Sequence, residues 1–195
     1  MNSIQRMEFI NIKLVILGKR MVLMFELNYR MIITDYDEGF FGGEGFLEIR
    51  CNENKYGEIY APELNDVLFK DCIFNWFIRI IKACILLSDN DIVYINDTDA
   101  YNFWIKFERI SDVNINVNLV EMKEWEGCHE LETRNLEKCV EMWDNSLVDI
   151  NNFRCEIIKK SREYLKELKT CNHEDCEEIL EFERLLKRLS EIWKM

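Results

Sequence analysis

The amino-acid sequence predicts an α+β protein in which an antiparallel β-sheet packs on a long apolar helix and a C-terminal helical hairpin follows. Three observations carry that expectation. Strand-like alternation recurs over residues 22–34, 46–60 and 92–120. Residues 62–87 are apolar around more than one helical face. Helical periodicity with acidic character dominates after residue 126. The two patterns have different periods, two residues against 3.6, so they separate along the chain.

In the first strand Phe25, Leu27, Tyr29, Met31 and Ile33 share one face. The loop Asp35-Tyr-Asp-Glu-Gly follows, and then Gly42, Gly43 and Gly45 crowd together. No Lys-Ser/Thr comes after these glycines, as a phosphate loop requires, so they read as a strand connection. A hairpin over 46–51 and 56–60 turns at Asn52-Glu-Asn-Lys, because Asn tolerates turn geometry. The helix is expected to start at Pro62, whose missing N–H costs nothing in a first turn. Its apolar residues, from Leu64, Val67 and Leu68 through Cys72 and Trp76 to Ile85, cover enough circumference to be buried between layers.

Three strands are expected next, at 92–95, 101–108 and 113–120, separated by the turn signals Asn96-Asp-Thr-Asp-Ala and Arg109-Ile-Ser-Asp. Val113, Ile115, Val117 and Leu119 alternate with Asn114, Asn116 and Asn118, which predicts one buried face and one wet one. Trp104 points away from Phe103, Ile105 and Phe107. Helices are expected over 129–143, 150–169 and 175–193, the last two as an antiparallel pair. By domain, residues 1–21 are an N-terminal extension and 22–125 the sheet with its inserted helix. Residues 126–195 are a helical subregion packed on the same domain.

A chain of 195 residues buries roughly 70% of its unfolded surface on folding, so it needs no disulfide staple. Aromatic residues at 12% supply apolar area that a disordered chain lacks. The net charge of −12, without a Lys/Arg stripe, argues against direct nucleic-acid binding and against an anionic membrane surface. It favours encounter with a basic protein, although solubility alone also accounts for it. The eight cysteines are spread thinly, which reads as free thiols in a reducing cytoplasm. The apolar stretch 9–25 is broken by Lys13, Gly18, Lys19 and Arg20, and resembles neither an export signal nor a membrane span.

The most metal-like cluster is Cys171, His173 and Cys176, with Cys128 and His129 as a second pair. Structural zinc sites usually present two spaced knuckles, and here the second pair is adjacent and far upstream. Glu174 and Asp175 serve equally as the acidic first turn of the last helix. Nucleophilic catalysis needs a base beside the nucleophile. The only histidines are His129 and His173, and neither flanks a nucleophile elbow. No catalytic residue, metal or cofactor is therefore assigned. Asp35, Asp37 and Glu38 cluster in one loop, and Asp97 and Asp99 in another, without the Gly turn and bidentate Glu of a calcium loop. Solvated turns are the plain reading. The functional reading is an acidic contact surface at the tips of the sheet, with Trp125 between Glu124 and Glu126 as its anchor.

The order of hairpin, apolar helix, meander and helices resembles immunity proteins of bacterial polymorphic-toxin systems, the WapA-immunity-like group. The residues that carry the likeness are Gly45-Phe-Leu-Glu-Ile, Trp76, Tyr101-Asn-Phe-Trp104, 113–117 and 153–168, within residues 22–169. The resemblance implies a non-enzymatic protein that neutralises a toxin by direct binding, and it transfers no catalytic residue. The acidic balance points to a basic toxin domain as the partner. The N-terminal extension, the many cysteines and the last helix depart from the pattern. Two other readings stay open here. One is a phage or mobile-element inhibitor of a host defence or nucleic-acid-binding protein. The other is a small enzyme using thiol or zinc chemistry at Cys128, His129, Cys171, His173 and Cys176.

Overall fold

A computed structural model describes residues 24–33, 39–59, 71–97, 100, 102–123, 129–173 and 175–194. Its first sheet is antiparallel: β1 (Phe25–Ile32), β2 (Glu44–Cys51) and β3 (Asn54–Gly57). The alternation in β1 does what its pattern predicts. Phe25 and Leu27 are buried, and Tyr29 and Met31 pack on the core. Ile33, past the strand's end, is 55% exposed. The β2–β3 turn is tight, Cys51 pairing with Asn54, and Asn52 takes φ 55°. Gly45 in β2 allows a close backbone approach, since a Cβ there would lie 2.2 Å from the Arg30 carbonyl oxygen. Its backbone exchanges hydrogen bonds of 2.9 and 2.7 Å with Asp71.

That bridge corrects the start of the apolar helix. Asp71 is extended and Cys72 is the cap, so α1 runs Ile73–Leu86 and cannot be continuous with a helix begun at Pro62. Residues 60–70 lie outside the described residues. Cys72 is exposed rather than packed inside the helix. Within α1 the expectation of all-round burial holds: of the residues from Ile73 to Ile81 only Asn75 is exposed.

The second sheet has the order β7–β4–β5–β6–β8, with β4 (Ile92–Asn96), β5 (Phe103–Arg109), β6 (Asn114–Met122), β7 (Leu131–Glu132) and β8 (Cys139–Glu141). A further strand, β9 (Leu147–Asp149), pairs with the start of β6 while β8 pairs with its end. The helix expected over 129–143 is therefore absent, and those residues extend the sheet instead. The outer edge of β6 offers backbone groups that a helix would leave open. Residues 139–149 satisfy them, as when Met142 N donates to Leu119 O at 2.8 Å. The apolar spacing there was misleading. Leu136 and Trp143 are buried in different clusters, and Val140 is 39% exposed.

The same segment covers the face expected to be wet. Asn118 is fully buried, its amide donating to Trp143 O (3.1 Å), Ser146 Oγ (3.0 Å) and Glu141 Oε2 (3.1 Å). Tyr94, Trp104, Val120, Met122 and Leu136 form a small second core. Lys106 is buried nearby and ion-paired to both Glu108 and Glu141.

Two helices close the chain, α2 (Ile150–Cys171) and α3 (Glu177–Trp193). Asp149 starts α2 by accepting hydrogen bonds from Asn151 N and Asn152 N, which satisfies two orphan donors of the first turn. The buried stripe Phe153, Ile157, Tyr164 and Leu168 meets Ile179, Phe182, Leu186 and Leu189. α1 touches β2, β4 and α3, and α2 touches β1 and β6, so one core joins both sheets and all three helices. The architecture is α+β. Among the described residues no helix is long and apolar enough to cross a membrane.

The described cysteines are all free. Burial pushes the Cys51 thiol up to about 12 and raises Cys84 as well, so neither ionises near neutrality. Strong reductant is expected to leave the melting temperature unchanged. Losing a native disulfide costs about 2–5 kcal/mol. A clear drop on reduction, with a mapped intramolecular bridge, would overturn the free-thiol reading.

Candidate functional site

Of the acidic contact residues proposed from the sequence, Asp35, Asp37, Glu38, Asp99, Glu124, Trp125 and Glu126 lie outside the described residues. Asp97 is described, and it is only 7% exposed. Its carboxylate accepts the Tyr56 hydroxyl, and its backbone N–H donates to Phe103 O at 3.0 Å. Tyr56 in turn packs on Trp76, ring centroids 5.9 Å apart. Asp97 thus links the two sheets through Tyr56, and its charge is directed inward.

The thiol and imidazole groups are placed as follows. Cys171, in the last turn of α2, donates to Leu168 O at 3.4 Å. Cys176, which caps α3, donates to Glu178 Oε2 at 2.8 Å. Burial raises the Cys171 thiol; burial and the Glu178 hydrogen bond raise Cys176. Both shifts favour the neutral thiol over the thiolate that acts as a nucleophile. His129 and His173 are exposed, and Cys128 and Glu174 lie outside the described residues. Among the described residues no three His, Cys, Asp or Glu side chains gather as a metal set. Protein purified without added metal is expected to hold less than about one zinc per ten chains, because the ligand set is incomplete. Stoichiometric zinc by elemental analysis, lost with folding in Cys171→Ser and Cys176→Ser, would reverse this.

One end of the second sheet brings together features the sequence scattered. The α1–β4 turn (87–91) and the β5–β6 turn (110–113) are bound to each other by Arg109. Its Nη2 donates to Leu87 O and Asn90 O, both at 3.0 Å, and its backbone N–H donates to Asp91 O at 2.7 Å. The α2 N-terminus joins them through Ile150 N to Val113 O at 2.9 Å. On this braced end, Ile110 is 53% and Val113 57% exposed. The exposed carboxylates Asp89, Asp91 and Asp112 stand in the same two turns. A branched apolar pair among carboxylates is the composition of an interface centre with a charged rim.

The alternation over 113–120 predicts a buried Val113, but β6 begins at Asn114 and Val113 is left exposed in the turn before it. Arg109-Ile-Ser-Asp reads from the sequence only as a turn signal. The available signal was two β-branched residues flanking Ser111-Asp112, where a solvated turn would carry polar ones.

A pocket of about 220 Å³ opens beside this end, lined by Leu87, Ser88, Arg109, Phe153, Arg154 and Trp193 among others. A shallower groove of about 680 Å³ lies between α2 and α3, lined by Leu165, Leu180 and Leu186 with Arg162, Arg184 and Lys187. No family model, curated protein or solved structure matches the chain. The class of protein is therefore defined by its own residues: an α+β protein whose described residues form two antiparallel sheets and three helices.

Proposed function

We propose that this protein acts by binding another protein, and that it neutralises a bacterial toxin as an immunity protein in the cytoplasm of the producing cell. The observation that carries the reading is the braced end of the second sheet, where Ile110 and Val113 are exposed among Asp89, Asp91 and Asp112. An apolar centre supplies the desolvated contact, and carboxylates around it steer a basic surface into place. The net charge of −12 adds a long-range field of the same sign. The resemblance to polymorphic-toxin immunity proteins supports a toxin as the partner, and the charge supports a basic toxin domain. No chemistry is required of the protein in this role; occlusion of the toxin's working surface is sufficient.

Co-expression with the product of a neighbouring toxin-like gene tests the reading. Wild type is expected to restore growth and to form a complex that survives gel filtration. Failure to rescue against every linked toxin would count against the immunity role.

A further inference from the structure

Arg154 lies on the first turns of α2, half-buried. Among the described residues its guanidinium has no hydrogen bond and no ion pair, and its Cζ rests 5.6 Å from the centre of the Trp193 ring. This is unusual in a chain with 37 carboxylates and 25 Lys and Arg. The other sheltered cations are satisfied: Lys106 has Glu108 and Glu141, Lys160 has Glu163, and Arg79 donates to Asn96 O. An arginine ordered on an aromatic face, with its donors unspent, is prepared for an acceptor from outside.

The second observation is Arg109, which lines the same pocket. Its Nη2 holds the turns, but its Nε–H is buried without an acceptor among the described residues. Asp91 approaches it at 3.5 Å from the solvent side and is 89% exposed, so that pair is weak. Around the two guanidinium groups stand the apolar side chains Leu87, Ile150, Phe153 and the indole of Trp193, together with Ser88.

We propose that this pocket is a binding site for a small organic carboxylate with an apolar body. Guanidinium and carboxylate match in plane and in donor spacing, which makes their pairing directional as well as strong. Beyond the guanidinium groups the lining is mostly Leu87, Ile150, Phe153, Ile192 and the indole of Trp193, with Ser88 as the one further polar side chain, so the body is taken to be a ring or a branched alkyl group. The volume of about 220 Å³ lies below the roughly 300 Å³ at which pockets for drug-sized ligands begin. A phosphate dianion fits less well. It carries a second charge into a field set by −12. The inference is independent of the toxin-binding role, because it concerns the interior of the pocket and not the turns' outer surface.

The test titrates the full chain with phenylacetate, 2-phenylethanol and inorganic phosphate, following the indole N–H resonance of Trp193 and the backbone amides around it. Phenylacetate is expected to saturate at one equivalent, with 2-phenylethanol and phosphate at least about tenfold weaker. Arg154→Gln should weaken phenylacetate by about tenfold or more without changing 2-phenylethanol, and Arg154→Lys should fall between, keeping charge but losing the fork. Four results would each overturn the proposal: no saturable response to phenylacetate, equal affinity for the alcohol, tighter binding of phosphate, or full phenylacetate affinity in folded Arg154→Gln. Should that variant not fold, the wild-type ligand series and Arg154→Lys decide.

Discussion

Tyr164→Ala is expected to lower the unfolding free energy by about 3–5 kcal/mol, in one transition that takes both sheets and all three helices with it. Tyr164 is fully buried, and its ring stacks on Phe77 with centroids 4.5 Å apart. Edge contacts reach Tyr29 at 5.3 Å and Phe182 at 5.7 Å. One side chain therefore touches β1, α1 and α3 from its place on α2. Its hydroxyl donates to Gly42 O at 2.8 Å, and burial raises the phenol above its ordinary range. Removing the ring leaves a cavity between elements that cannot all relax into it. Tyr164→Phe keeps the ring but strips a buried carbonyl of its donor, at a cost of about 1–3 kcal/mol. For a chain of this length the alanine variant should melt on the order of 10 °C lower. Denaturation followed at once by far-ultraviolet dichroism and tryptophan fluorescence checks it. Separate melting of α2 and α3, with the sheets intact, would show that the C-terminal helices are a distinct unit.

The elements legible in the sequence are those whose residues have one periodic environment. β1, β5 and β6 alternate because one face meets the main core, although residues 136–146 bury the other face of β5 and β6 as well. α2 and α3 carry a stripe because each rests on neighbours along one side. What escaped was decided by distant partners. Whether 129–143 is helix or strand depends on the open edge of β6, which is invisible locally. The start of α1 depends on Gly45 accepting Asp71 as a bridge partner. The division into two sheets has the same cause. Asn52 and Asn54 tie the first hairpin to the 144–147 loop by side-chain bonds and not by a strand ladder. Among the candidate contact residues, Asp97 looked like any other turn aspartate, and only Tyr56, far away in sequence, turns it inward. The pocket was hidden for a like reason, since Arg109 of β5 and Arg154 of α2 are far apart in sequence and line it together only in the fold.

Charge reversal at Asp89 and Asp112 together is expected to slow association with the partner by about tenfold or more at low salt, with little change in dissociation. Both residues are exposed, and neither is an ion-pair partner within the described fold, so each substitution should alter stability by no more than about 0.5 kcal/mol. Asp91 is left in place because it pairs with Arg109 at 3.5 Å. Asp97 is excluded for a stronger reason: an ammonium set against Tyr56 inside the fold would be read as lost stability, not as lost binding. The wild-type association rate should fall as salt shortens the screening length, and the reversed variant should show a flatter dependence. Ile110→Ser with Val113→Ser is the complementary variant. It removes the apolar centre, so the loss should appear in the dissociation rate. Kinetics measured by surface capture, alongside growth rescue, separate the two effects. Unchanged binding in both variants would move the interface elsewhere, to Asp35, Asp37 and Asp99 or to the groove between α2 and α3. A reversed variant that bound faster would mean an acidic partner surface, and the basic-toxin reading would then be wrong even if binding itself were real.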